Sequence, residues 1–197
     1  MTSKKEKRMI ARRTIVVAAA VALAFAPGRA LAKEIPIGEP KVIDAAGLEV
    51  AAVYLQPIEM EPASHQGQPL YLPRAKSDIH LEADVRAGRG NRHGFRDGEW
   101  VPALSVRYTL KNLDTGHEQS GLLHPMVAND GPHYGANIKM PGLGHYTLTY
   151  IVEPPGSAGP AAPVRQGFGL ASKIPWWKPF QVEWSFKYFG PGKKGGY

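Results

Sequence analysis

The stretch Asp78–Ala87, DIHLEADVRA, decides how the chain is read. Ile79, Leu81, Ala83 and Val85 fall on one side, and His80, Glu82, Asp84 and Arg86 on the other. A period of two marks a strand with one face on a core. The same alternation returns in Phe180–Phe189, where Val182, Trp184, Phe186 and Tyr188 oppose Gln181, Glu183, Ser185 and Lys187. Outward from these, Leu48–Gln56, Leu104–Lys111, Glu118–Ala128, Ala136–Met140 and His145–Val152 have strand composition. Turn residues separate them at Gly88–Asn91, Asn112–Gly116, Asn129–Pro132 and Pro141–Gly144. No segment carries a sustained helical period with caps. About seven or more strands at this spacing predict an all-β fold, an immunoglobulin-like antiparallel β-sandwich, with a closed barrel as the structural alternative.

The N-terminus has a different character. Lys4, Lys5, Lys7, Arg8, Arg12 and Arg13 precede an apolar run, Ile15–Ala26, and the small-residue pattern Ala30-Leu31-Ala32. A basic head, a short apolar centre and an A-x-A exit predict a secretory signal peptide, 1–32, cleaved after Ala32. The run is shorter than the ~20 apolar residues of a membrane span, so no membrane anchor is expected after cleavage. The pair Arg12-Arg13 leaves general secretion and twin-arginine export both open. The predicted domain is then 33–189, followed by a short tail, 190–197, while the Pro-, Gly- and Ala-rich stretch Pro154–Pro175 reads as a long loop.

Removal of the signal changes the charge. The whole chain carries +7, but residues 1–32 hold seven of the 24 Lys and Arg and one of the 17 Asp and Glu. The remainder is close to neutral, which removes nucleic acid as a partner. The chain has no cysteine, which excludes thiolate metal sites, redox pairs and cysteine nucleophiles.

Phosphate-binding glycine loops, serine-nucleophile elbows and zinc-protease helices are all missing. Instead, metal-ligand side chains recur. His80 and Glu82 stand two apart on one strand face; alone they read equally as a polar outer face. The stretch HPMVANDGPHY places His124, Met126, Asp130 and His133 on a strand end and a turn. Turn geometry brings Asp130 and His133 back toward Met126. Thioether, imidazole and carboxylate together suit copper in two oxidation states, or iron or manganese at the oxygen end, with zinc chemically open as well.

The stretches GLEVAAVYLQPIEMEP (47–62), SDIHLEADV (77–85), GEWVPALSVRYTL (98–110), PMVANDGPHYGANIKM (125–140) and PWWKPFQVEWSFKY (175–188) resemble the periplasmic iron-transport protein family. These are copper-binding proteins that work beside an iron permease in high-affinity iron uptake. The resemblance covers nearly all of the chain after the signal. It implies an immunoglobulin-like sandwich, a homodimer, copper as cofactor near the dimer interface, iron as the transported ion, and an inner-membrane permease as partner. The family's copper ligands match His80, Met126 and His133; Glu82 and Asp130 match acidic residues at or beside that site. Relatives carry another ligand histidine in the loop before the tryptophan pair, whereas residues 156–175 here contain none. His124 stands where relatives often have methionine and is the expected substitute, ahead of His65. Three other readings stand beside this one: a copper chaperone or buffer unconnected with iron, a copper-dependent ferrous oxidase, and an adhesion sandwich without metal.

Overall fold

The alternation at Asp78–Ala87 becomes a strand, Ile79–Ala87, in which Ile79, Leu81, Ala83 and Val85 are completely buried. A computed structural model of the chain describes residues 34–65, 67–157 and 173–191. The expected signal peptide, residues 158–172 of the expected loop and 192–197 of the expected tail lie outside the described residues.

The strands are β1 (Ile35–Pro36), β2 (Lys41–Ile43), β3 (Leu48–Leu55), β4 (Ser64–His65), β5 (Gln68–Pro69), β6 (Ile79–Ala87), β7 (Ser105–Asn112), β8 (Glu118–Ala128), β9 (Gly131–Ile138), β10 (Gly144–Glu153) and β11 (Phe180–Tyr188). The principal ladder runs β1-β3-β6-β9-β8-β7-β10-β11, with β2 also on β3 and a separate β4-β5 pair. Every pairing is antiparallel.

Strand β8 makes two layers out of this ladder. Its first half, Glu118–Leu123, pairs with β7, and its second half, His124–Ala128, pairs with β9. A strand that changes sheets in mid-course is how a sandwich turns a corner. Among the described residues β1 and β11 do not pair, so the ladder is a sandwich and not a closed barrel.

Between the layers lie Leu81 and Ile79 of β6, Tyr134 of β9, Leu110 of β7, and Tyr146, Leu148 and Tyr150 of β10, all fully buried. The tyrosines bring polar ends into this core and each finds a partner, as burial requires. Tyr134 Oη donates to the Val101 carbonyl at 2.7 Å. Tyr150 Oη donates across the sandwich to the Glu82 carbonyl at 2.8 Å. On the same inter-layer face the Tyr54 ring of β3 meets Tyr188 and Phe186 of β11 at 5.7 and 6.1 Å. Trp184 of β11 donates its indole N–H to the Glu39 carbonyl at 2.8 Å and lies against Gly38, where a Cβ would sit 2.8 Å from the indole ring.

Two features differ from the sequence expectation. The strand expected at Ala136–Met140 begins at Gly131, so Pro132 and His133 belong to it and the turn shortens to Asn129-Asp130. Proline is tolerated there because β6 pairs only with Tyr134–Ile138, leaving Pro132 bonded on one side. The second difference is burial. His80 and Glu82 do point away from the core, yet they are 0 % and 3 % exposed. The segment between β3 and β6 crosses that face and is fastened by Asn137, whose amide bonds Ile58 N, Ile58 O and Leu72 O at 3.3, 2.9 and 3.1 Å.

Replacing Tyr150 by Phe removes the one described hydrogen bond between the two layers that ends on β6. The expected cost is about 0.5–1.5 kcal/mol. It is read as a lower urea midpoint with an unchanged m-value; an unchanged midpoint would show that Tyr150 acts by packing alone.

Candidate metal centre

Antiparallel register brings the candidate ligands together. Glu82 lies opposite Gly135, and Gly135 opposite His124; two residues along, Met126 lies opposite His133; His80 lies opposite Asn137. Directly paired residues share a face, so all of these point to the outer face of the β6-β9-β8 sheet.

Gly135 is the centre of this row. A Cβ built there would overlap His80 Nε2 and lie 3.0 Å from Met126 Sδ. Glycine therefore leaves a cradle into which an imidazole and a thioether both project. His133 Nε2 lies 3.3 Å from Glu82 Oε1, and His80 Nε2 lies 3.6 Å from the same oxygen. The two imidazole rings meet edge to face at 6.1 Å.

The tautomer of His80 follows from its neighbours. Asn137 gives its amide hydrogens to the carbonyls of Ile58 and Leu72, so its Oδ1 faces His80 Nδ1 at 3.0 Å as an acceptor. His80 must then carry its proton on Nδ1, which leaves a bare lone pair on Nε2. That Nε2 is buried without a hydrogen-bond partner, and so is the Nε2 of His133. Two unpartnered buried nitrogens aimed at one carboxyl group are costly in a closed protein, and their lone pairs suit a metal ion.

Burial sets the protonation. Desolvation holds the His80 imidazole down, to about 4, and lowers His133 as well. Both rings are thus neutral ligands near pH 7. Glu82 is pushed up to about 8, first by desolvation and then by the charges of Glu34, Asp130 and Asp84. A cation would replace that proton.

A second donor set shares Glu82. Ligand oxygens of Glu34, Glu82 and Asp130 lie within 4.8 Å of one another, as do the ligand atoms of His80, Glu82 and His133. Burial and the adjoining Asp130 raise Glu34. His133 Nδ1 lies 4.0 Å from Asp130 Oδ1, so the two sets touch at both Glu82 and His133. One set offers nitrogen and sulfur with one oxygen; the other offers oxygen alone.

The structure thus brings together five of the six sequence candidates: His80, Glu82, Met126, Asp130 and His133. His124 shares their face, but its half-buried ring lies against Tyr71 at 6.1 Å and is not within the 4.8 Å clusters. Sequence reasoning missed three residues. Asn137 and Gly135 fall at alternate positions after His133 and were open to the same period-two argument. Glu34, next to the expected cleavage point, carries no local signal at all.

Comparison with known proteins finds a family model described as Fe2+ transport protein, matching residues 31–190. A UPF0423 protein of Brucella abortus (strain 2308) is 48% identical over 185 residues, 94% of this chain and 97% of that one. The 34 kDa membrane antigen of Treponema pallidum is 36% identical over 88% of this chain and 83% of that one. Among solved structures, a copper-bound variant of FetP from uropathogenic Escherichia coli strain F11 matches with a TM-score of 0.72 and 51% identity, over 80% of this chain and 99% of that one. Copper-reconstituted P19 of Campylobacter jejuni matches with a TM-score of 0.71 and 46% identity, over 82% and 99%.

Gly135→Ala should fill the cradle, displacing His80 or Met126, while the fold persists. Transition-metal affinity is expected to fall by at least about tenfold, with the urea midpoint of the metal-free protein little changed; unaltered affinity would show that the cradle is not used. Glu82 also sets a pH dependence. Its folded pKa lies above its unfolded value near 4.5, so the folded state binds the extra proton and stability falls as pH rises between roughly 4.5 and 8. His80 is shifted the other way and adds stability as pH rises between about 4 and 6.5. Above pH 6.5 only the Glu82 effect remains. Metal-free Glu82→Gln should therefore be more stable than the wild type at pH 8.5 in urea unfolding, with the gap closing toward pH 5; a constant gap would contradict the buried-carboxylate account.

Proposed function

The chain belongs to the Fe2+ transport protein family, and from that premise we propose that it is a periplasmic copper- and iron-binding protein of high-affinity iron uptake, handing iron to an inner-membrane permease. One observation carries this reading: a single buried carboxylate, Glu82, is shared by a nitrogen- and sulfur-bearing set and by an all-oxygen set. Ligand softness sorts the ions. His80, Met126 and His133 suit copper, and Glu34, Glu82 and Asp130 suit iron. FetP and P19, which share about half of this sequence, have been crystallised with copper.

Copper held there would supply one-electron redox chemistry beside the iron site. The protein's part is to orient and desolvate. Asn137 fixes the His80 ring and its tautomer; Gly135 admits the ligands; Glu82 exchanges its proton for a cation. The segment over the outer face keeps water from the imidazoles, which is why both are buried.

A homodimer fits the edge of the sandwich. The first half of β8, Glu118–Leu123, is hydrogen-bonded on one side only and exposes Leu122 at 45 %. An exposed strand edge with apolar side chains is a ready surface for a second copy. Cleavage after Ala32 would release this dimer into the periplasm with Glu34 almost at its N-terminus.

The test is calorimetric titration of the mature protein with Cu(II), and with Mn(II) as an air-stable substitute for ferrous iron. His133→Ala and Met126→Leu should weaken copper by at least about tenfold and spare manganese. Glu34→Gln and Asp130→Asn should do the reverse, and Glu82→Gln should weaken both. Absence of copper binding by the wild type, or indifference of both metals to Glu82→Gln, would overturn the proposal. Steady-state turnover of ferrous iron by the copper-loaded protein would instead make it an oxidase.

A further inference from the structure

Outside the buried site, on the far side of Met126, lies a second cleft. One wall is the segment Ile58–Pro62 and the other is formed by Leu70, Tyr71 and the β8 residues His124–Ala128 with Asn129. It adds Met60 and His124 to Met126, which it shares with the buried set, and Glu59 and Glu61 are exposed at its rim.

Met60 stands apart from the main core. It is 8 % exposed, yet it lies outside the cluster of buried residues that forms the core. The segment carrying it is fastened on both sides. Asn137 holds Ile58 two residues before it, and Tyr71 Oη donates to the carbonyl of Pro62 two residues after it. The same Tyr71 ring packs against His124. One tyrosine therefore spans from the Met60 wall to the His124 wall. His124 and Met126 stand two apart on β8 and share its outer face. Met126 borders both places: it lines the cleft, and its sulfur reaches the cradle over Gly135 beside His80.

We propose that this cleft is an outer soft-metal site, in which Met60 and His124 capture monovalent copper and Met126 leads it to the buried set. Two thioethers and an imidazole are the donors that a soft monovalent ion prefers over a hard divalent one. The two rim carboxylates raise the local cation concentration without competing as soft ligands. The all-oxygen set borders an adjoining cleft lined by Glu34, Glu82 and Asp130, which shares Ile58, Ala128 and Asn129 with the outer one. Donor type, soft on the Met60 and His124 side and hard on the Glu34 and Asp130 side, thus sorts the two metals before either reaches Glu82. The route inward rests on the copper reading of the buried site; the outer site does not.

The experiment titrates the mature protein with Ag(I), a redox-inert stand-in for Cu(I), and follows Cu(I) loading by stopped flow. The wild type should take one strong and one weaker equivalent. Met60→Leu, which conserves volume, and His124→Ala should each abolish the weaker equivalent and slow loading of the strong one by about tenfold. The affinity of the strong site should stay within about twofold, and X-ray absorption should show fewer sulfur neighbours in Met60→Leu. His133→Ala should lose the strong equivalent and keep the weaker. Unchanged stoichiometry and loading rate in both variants would overturn the proposal. So would a tenfold loss at the strong site in His124→Ala with Met60→Leu silent, which would place His124 in the buried set. A wild type showing the weaker equivalent alone would support the outer site and refute the buried one.

Discussion

Everything at this site depends on the register of three antiparallel strands across Gly135. The pairings Glu82 with Gly135, Gly135 with His124, and Met126 with His133 put donors from β6, β8 and β9 on one surface. A slip of one residue would send every one of them to the other face. What prevents the slip is the inner face. Ile79, Leu81, Ala83 and Val85 fill the core on alternate positions of the strand that carries His80 and Glu82, so core packing and ligand alignment are one constraint. Tyr150 adds a direct tie, since its hydroxyl crosses the sandwich to the backbone carbonyl of Glu82 itself.

The outer face pays for its chemistry in stability. An ordinary sheet surface would leave His80 and Glu82 in water. Here the chain at Ile58 and Leu72 is fastened over that face, and the site holds two imidazole nitrogens without partners and a carboxyl that keeps its proton to about pH 8. Such groups destabilise a metal-free protein and are relieved by a cation. Local cost at a site that a ligand completes is the usual balance between stability and function.

Asn137 links the cover to the ligands. One amide holds Ile58 and Leu72 in place above the sheet and at the same time dictates which nitrogen of His80 is free. Covering the site and tuning its first imidazole are therefore not separable. The residues Ile58 to Pro62, held at both ends, also form the wall of the cleft beside Met126, so one segment shapes the surroundings of both donor groups.

Periodicity alone was enough for the all-β class, the inner faces of Asp78–Ala87 and Phe180–Phe189, and the face on which His80 and Glu82 lie, because alternation in a strand is a local property of the backbone. Donor type and a strand-end turn, rather than periodicity, brought out Met126, Asp130 and His133 in HPMVANDGPHY. Only the tertiary structure decided that the β6 outer face is buried, because the covering segment reaches it from some twenty residues before β6 and has no period of its own. It alone placed Glu34 beside Glu82 and Asp130, and made Gly135 a cradle rather than a simple strand residue. These are contacts between strands distant in sequence, and no local pattern encodes them. The burial that makes a histidine and a glutamate unsatisfied, and so gives them chemistry, exists only once the sheet is folded and covered.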